Sequence, residues 1–146
     1  MKMKNYEIYN TDAKNRIYFS IVLIFLLGFS LMYITTVIEL KNDVNALRAE
    51  HLDIPSTASD MTFLIKSAVC FFISIFMLAG SIGMIARRNW GIQAAAAGLF
   101  GQAVMYIAEI AIFGSQTFNY PPARFIVGII VIDIVIIWKI LKEKTD

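Results

Sequence analysis

The chain has one cysteine, one histidine and three prolines, and only 16% of its 146 residues are charged. A single thiol, Cys70, excludes an internal disulfide, and its apolar surroundings in the sequence are ordinary for a buried cysteine. The lone histidine, His51, has no second histidine or cysteine beside it to build a zinc site, and is expected to sit in solvent. No glycine-rich phosphate loop, dinucleotide fingerprint or Ser/His/Asp arrangement occurs. No catalytic residue, cofactor or metal is therefore expected. The net charge of +2 is small, and the basic residues fall in distant segments, a pattern that does not point to nucleic acid.

Apolar residues take the place of charge. The hydrophobic fraction is 58% and the mean hydropathy +0.67, against roughly 45–50% apolar and about a quarter charged residues in a soluble domain. They fall in four blocks, at 17–38, 61–86, 90–113 and 123–141. Each is close to the ~20 residues that carry a helix across ~30 Å of hydrocarbon. A backbone in lipid must satisfy its own hydrogen bonds, so the blocks predict helices. The first is longer than the ~7–15 residues of a signal-peptide core and has no Ala-x-Ala site after it, so it is expected to be retained. The expected fold is an all-α membrane protein, one domain built as a bundle of four transmembrane helices.

Basic residues set the expected orientation. Lys2, Lys4, Lys14, Arg16, Arg87, Arg88, Lys139, Lys142 and Lys144 lie on one side, and only Lys41, Arg48, Lys66 and Arg124 on the other. The positive-inside rule then puts both termini in the cytoplasm, in a multi-pass protein of the plasma (inner) membrane. Trp90 and Trp138 fall at the same cytoplasmic boundary, where indole is at home.

The outer connection, 39–60, carries Val37, Leu40, Val44 and Leu47 at spacings of three and four. That is the signature of one helical face. It predicts that the first helix runs on as an amphipathic stalk to Ala49, before Pro55 ends it. The stripe either packs on its own loop or docks a partner. Thr57 and Asp60 suggest the cap of the second helix, Arg87-Arg88-Asn89 is a tight turn, and Pro121-Pro122 opens the fourth helix.

Ionisable groups inside spans are costly and are candidates for function. Lys66 and Glu109 are each about five residues inside the same boundary on hairpin-linked helices, and are expected to pair. Asp133 sits deep in the fourth block without a basic residue at its depth, so the neutral acid is the cheaper form there. Gln102 and Tyr106, on the face that also carries Glu109, are its expected neighbours. Asp133 would serve as interhelical glue, contact a partner helix, or move a proton or cation. In the third block Ala94 with Gly98, and Ala97 with Gly101, are small-xxx-small pairs that allow close helix approach, within the bundle or in a homodimer. Ser30, Ser74 and Ser81 are expected to bond their own backbone.

Two function classes follow. The first is a non-enzymatic accessory or structural subunit of a larger membrane complex, its partners being membrane lipids and other subunits or itself. The second is a small oligomeric transporter or proton- or cation-conducting protein using Asp133 and Glu109. The first is favoured, because a transporter normally converges several polar groups on a cavity.

Overall fold

A computed structural model describes residue 9 and residues 12–39 and 43–145. The side chains of residues 36, 37, 39, 141 and 143–145 are not described; expectations resting on Lys2, Lys4, Leu40, Lys41 and the side chains of Val37 and Lys144 therefore lie outside the described residues. All the regular structure among the described residues is helical. The helices are α1 Ala13–Glu39, α2 Val44–Glu50, α3 Asp60–Ile85, α4 Asn89–Phe113 and α5 Ile126–Thr145. Three helical stretches are long and apolar enough to cross a membrane: Ala13–Thr35, Asp60–Ile85 and Asn89–Phe118. The fourth apolar block forms α5, 20 residues long, which carries Asp133, Lys139, Lys142 and Glu143.

The bundle interior mixes apolar side chains with polar ones, while its flanks are apolar. On α3 the buried residues Ser67, Cys70, Ser74, Met77, Ser81 and Met84 recur at alternating spacings of three and four, while Met61, Ile65, Phe72, Phe76 and Ile82 are exposed. A soluble helix shows the opposite arrangement. The serines cost little inside because their hydroxyls donate back to carbonyls: Ser74 to Phe71 at 2.6 Å and Ser81 to Met77 at 2.8 Å. On α5 the buried face is Ile126, Asp133, Ile136 and Ile140, and Val127, Val131, Ile132, Ile134, Val135 and Trp138 point outward.

The α3–α4 hairpin is the tightest unit. Gly91, Ala95, Gly98, Gln102, Met105 and Glu109 form the buried face of α4, again at spacings of three and four. They meet α3 in antiparallel rungs. Gly83 lies against Gly91, Gly80 against Ala95 and Met77 against Gly98; Cys70 meets Met105 at 3.6 Å and Lys66 meets Glu109. A Cβ on Gly80 would stand 2.6 Å from the Ala95 backbone, so the main chains themselves are in contact. The seam therefore uses Gly91, Ala95 and Gly98. Gly98 is thus where the small-residue pairs expected from sequence put it, whereas Ala97 is exposed and Ala94 and Gly101 are half-buried, which corrects the other three by rotating the face.

The turn closing this hairpin is a Schellman cap. Arg87 N–H donates to Met84 at 3.0 Å and Arg88 N–H to Gly83 at 2.8 Å. Arg87 takes φ +52°, the left-handed conformation usually given to glycine. Tyr9 donates to the Arg88 carbonyl at 3.4 Å, and the Lys139 ammonium lies 3.6 Å over the Tyr18 ring. The start of α1, this turn and the end of α5 thus share one end of the bundle.

At the opposite end the continuous stalk is not found. α1 ends at Glu39, Asp43 is fully extended (φ −177°), and α2 starts afresh at Val44. Arg48 explains the fold-back: its guanidinium donates to the carbonyls of Ser56 at 2.7 Å and Ala58 at 3.0 Å. It also pairs with Asp60 at 2.5 Å and lies 4.6 Å over the Phe63 ring. Leu47 is buried with Ile54 and Phe63, and Val44 is half-buried. Leu47 is thus taken up in local packing, which removes it as a docking residue. Ser59, rather than Thr57, precedes the first residue of α3. The fourth helix begins with a 3-10 turn, Pro121–Phe125, so its α-helical part starts three residues later than its sequence block.

Two glycines give opposite outcomes. Gly91→Ala drives a methyl into the Gly83–Met84 backbone and is expected to cost about 1–3 kcal/mol. Gly28→Ala meets nothing within 4 Å and is expected to be neutral or stabilising by roughly 0.5–1 kcal/mol. Melting temperatures in one detergent check both.

Candidate functional site

A buried polar column descends from the loop end of the bundle. It begins with the Lys66 ammonium, which pairs with Asp53 of the α2–α3 loop and with Glu109 of α4, the latter at 2.9 Å. Lys66 and Glu109 are 7% and 6% exposed, and Asp53 lies above them as a lid. The structure thus brings the two expected partners together and adds a third. Asp53 was not singled out from the sequence; its only signal is an acid placed two residues before the loop's proline, Pro55.

His51 corrects its sequence reading. It is 4% exposed rather than solvated, with Nε2 3.0 Å from the Ser67 hydroxyl. Burial, and then the adjacent Lys66 charge, push its pKa down to about 4, so the ring is neutral at pH 7. For Asp53 burial acts upward, but Lys66 and the Glu109 carboxyl beside it prevail, holding it below the ordinary aspartate value. The loop closes over the bundle with one neutral ring and one carboxylate.

Beneath the ion cluster, Tyr33 of α1 joins the column. Gln102 Nε2 donates to the Tyr33 hydroxyl at 2.8 Å, and the Tyr33 and Tyr106 hydroxyls are 3.1 Å apart. The Lys66 ammonium lies 5.7 Å from the Tyr106 ring centre. Tyr33 was missed from sequence, although Val22, Leu26, Ser30 and Tyr33 share the buried side of α1. Gln102 and Tyr106 were expected beside Asp133; their hydrogen bonds go to Tyr33 instead. Asp133 is 0% exposed. Both its carboxyl oxygens lack a hydrogen-bond partner among the described residues, as does Gln102 Oε1.

Two spaces reach this column. A cavity of about 270 Å³ opens at the loop end and is lined by Tyr33, His51, Asp53, Lys66, Tyr106 and Tyr120. An apolar groove of about 750 Å³ runs down the outside of α3 and α4, with Lys66 and Glu109 in its wall. Below Asp133, toward the terminal end, the interior is mainly apolar: Val22, Leu26, Ala95, Leu99, Ile136 and Ile140 lie there, and the buried Ser81 hydroxyl is turned back to Met77. Among the described residues no group of three or more His, Cys, Asp or Glu is placed to hold a metal ion. Chemically the column can store charge and hydrogen bonds at one end of the bundle.

Two tests follow from this geometry. Because Lys66 is buried between two carboxylates, Lys66→Met strands both and is expected to cost about 3–5 kcal/mol, well beyond a surface ion pair. Adding Asp53→Asn and Glu109→Gln should restore most of the loss in chemical or thermal unfolding. The second test concerns pH. His51 binds protons more weakly folded (about 4) than unfolded (6.5), so its contribution to stability is complete above pH 6.5 and is lost as pH falls toward 4. At pH 5 the loss is about 2 kcal/mol. His51→Gln should flatten the stability profile between pH 6.5 and 4, leaving the acid loss from Asp53, which lies below its ordinary value, in place.

Comparison of the chain with protein-family models, with curated proteins and with solved structures gives no match.

Proposed function

We propose that this is a four-span protein of the plasma membrane, with both termini in the cytoplasm, that serves as a non-enzymatic accessory or structural subunit of a larger membrane assembly. The fourth span is α5. Its outward residues from Val127 to Trp138 are apolar or glycine, and its one deep charge-bearing group, Asp133, is turned inward, as expected of a helix that meets lipid. The common end of α1, the Arg87-Arg88 turn and α5 would be the cytoplasmic end, the side that the basic residues favour.

The observation that carries the subunit reading is the one-sided distribution of polar groups. Lys66 pairs with both Asp53 and Glu109, Tyr33, Gln102 and Tyr106 bond among themselves, and the terminal half of the interior is mainly apolar, the buried Ser81 hydroxyl there being turned back to Met77 of its own helix. A conducting path needs polar groups or water through both halves. A body whose polar interior stops halfway supports contact rather than passage. One observation favours the second reading, a proton- or cation-coupled transporter: the Asp133 carboxyl, buried and without a hydrogen-bond partner among the described residues.

Purification in mild detergent followed by mass spectrometry separates the two, a stoichiometric different partner being expected. A pure homo-oligomer whose ion flux in liposomes disappears with Asp133→Asn would replace the subunit reading by transport. The topology is checked by thiol labelling from outside: Asn45→Cys should react, whereas Asn10→Cys and Glu143→Cys should not.

A further inference from the structure

The groove on α3 and α4 is more than a lipid-facing crease, because charge enters its wall. Its α3 side is made by Val69, Phe72 and Phe76, and its α4 side by Gly101, Val104 and Ala108. The small α4 residues make it concave. From Lys66 to Phe76 it covers ten residues of helix, roughly 15 Å, the reach of a rigid aromatic or a long alkyl body. At its loop end the wall contains Glu109, whose buried carboxyl group shares the Lys66 ammonium, 2.9 Å away, with Asp53.

The charge count at that end is unequal. One ammonium, Lys66, faces two carboxyl groups, Asp53 and Glu109. Among the described residues the remaining neighbours add no second cation: His51 is neutral at pH 7, while Cys70 of α3 and Tyr106 of α4 carry no positive charge in any form. Ionised, the cluster holds one negative charge in excess, and something positive must meet it in so dry a place. A proton on Glu109 is one solution. A cation held by its own apolar body in the groove is the other.

We propose that the α3–α4 groove binds a lipophilic organic cation, with the apolar body between Phe72, Phe76 and Gly101 and the positive centre against Glu109. A phospholipid fits less well, since its phosphate would compete with Asp53 and Glu109 for the single ammonium. The cation and a proton compete for the same carboxylate, so binding displaces a proton and weakens as pH falls. This goes beyond the subunit reading and does not rest on it: a subunit and a transporter are equally able to hold such a ligand.

The test uses two ions of matched shape and opposite charge, tetraphenylphosphonium and tetraphenylborate, titrated into the full chain in a neutral detergent. Tetraphenylphosphonium is expected to bind and the borate to bind at least about tenfold more weakly, as an apolar groove with one fixed anion requires. Phosphonium affinity should fall on acidification. Glu109→Gln should remove the preference for the cation, and Gly101→Leu, which fills the groove beside Ile73 without touching the ion cluster, should weaken both ions. Should Glu109→Gln not fold, the opposite-charge pair, the pH dependence and Gly101→Leu still decide. Equal binding of the two ions, no binding of either, or phosphonium binding that Gly101→Leu leaves unchanged overturns the proposal.

Discussion

One buried ammonium organises the loop end of this protein. Lys66 sits where water is scarce, and a charge there is tolerated only with partners. Glu109 reaches it from α4, which fixes how far α4 slides along α3. Asp53 reaches it from the loop, which fixes where the loop lies. His51 follows two residues earlier, and its neutral ring fits beside a cation where a charged ring would not. The Arg48 fan of hydrogen bonds to Ser56, Ala58 and Asp60 then gives the loop a shape from which Asp53 can point inward. Without Lys66 none of these polar groups has a reason to be buried.

The same hairpin is fixed at its other end by backbone alone. The Schellman cap sets the turn, and Gly83, Gly91 and Gly80 let the helices meet main chain to main chain. Between cap and ion cluster, every rung from Gly83–Gly91 to Lys66–Glu109 keeps the antiparallel register. Packing and electrostatics therefore specify one alignment from opposite ends, and a slip of one residue would bring a Cβ into backbone at one end and break the ion pair at the other. In lipid, where apolar faces do not drive helices together, close approach and polar contacts must do so.

Much of this was legible in the sequence because a period of three and four carries through lipid-facing and buried faces alike. The helices lie on the four apolar blocks, and depth matching on a tight hairpin was enough to pair Lys66 with Glu109. What could not be read was the loop. Val37, Leu40, Val44 and Leu47 keep a helical spacing across a break, since a short helix folded back can occupy the same phase as a continued one. Nothing local distinguishes Asp53 from Glu50 or Asp43 as the acid that turns inward; Arg48 decides it through contacts eight to twelve residues away. Of the expected seam residues Gly98 is in the seam, whereas Ala94, Ala97 and Gly101 lie beside it and Gly91 and Ala95 take their place, because alanine and glycine occur in phase on both faces of α4. Asp133 illustrates a different limit: its depth was readable, but not that its expected partners Gln102 and Tyr106 are engaged by a tyrosine from α1.

The glycine seam also bears on the order in which the molecule assembles. Ordering a side chain on folding costs up to ~2 kcal/mol for long flexible residues and nothing for glycine or alanine. At the turn end, α3 and α4 meet through Gly80, Gly83, Gly91 and Ala95, and the turn joining them is three residues long. Their association therefore demands almost no rotamer selection and very little loop closure. This pair is suited to leave the biosynthetic machinery as a finished helical hairpin. It would then serve as the template onto which α1, made earlier, and α5, made later, are recruited.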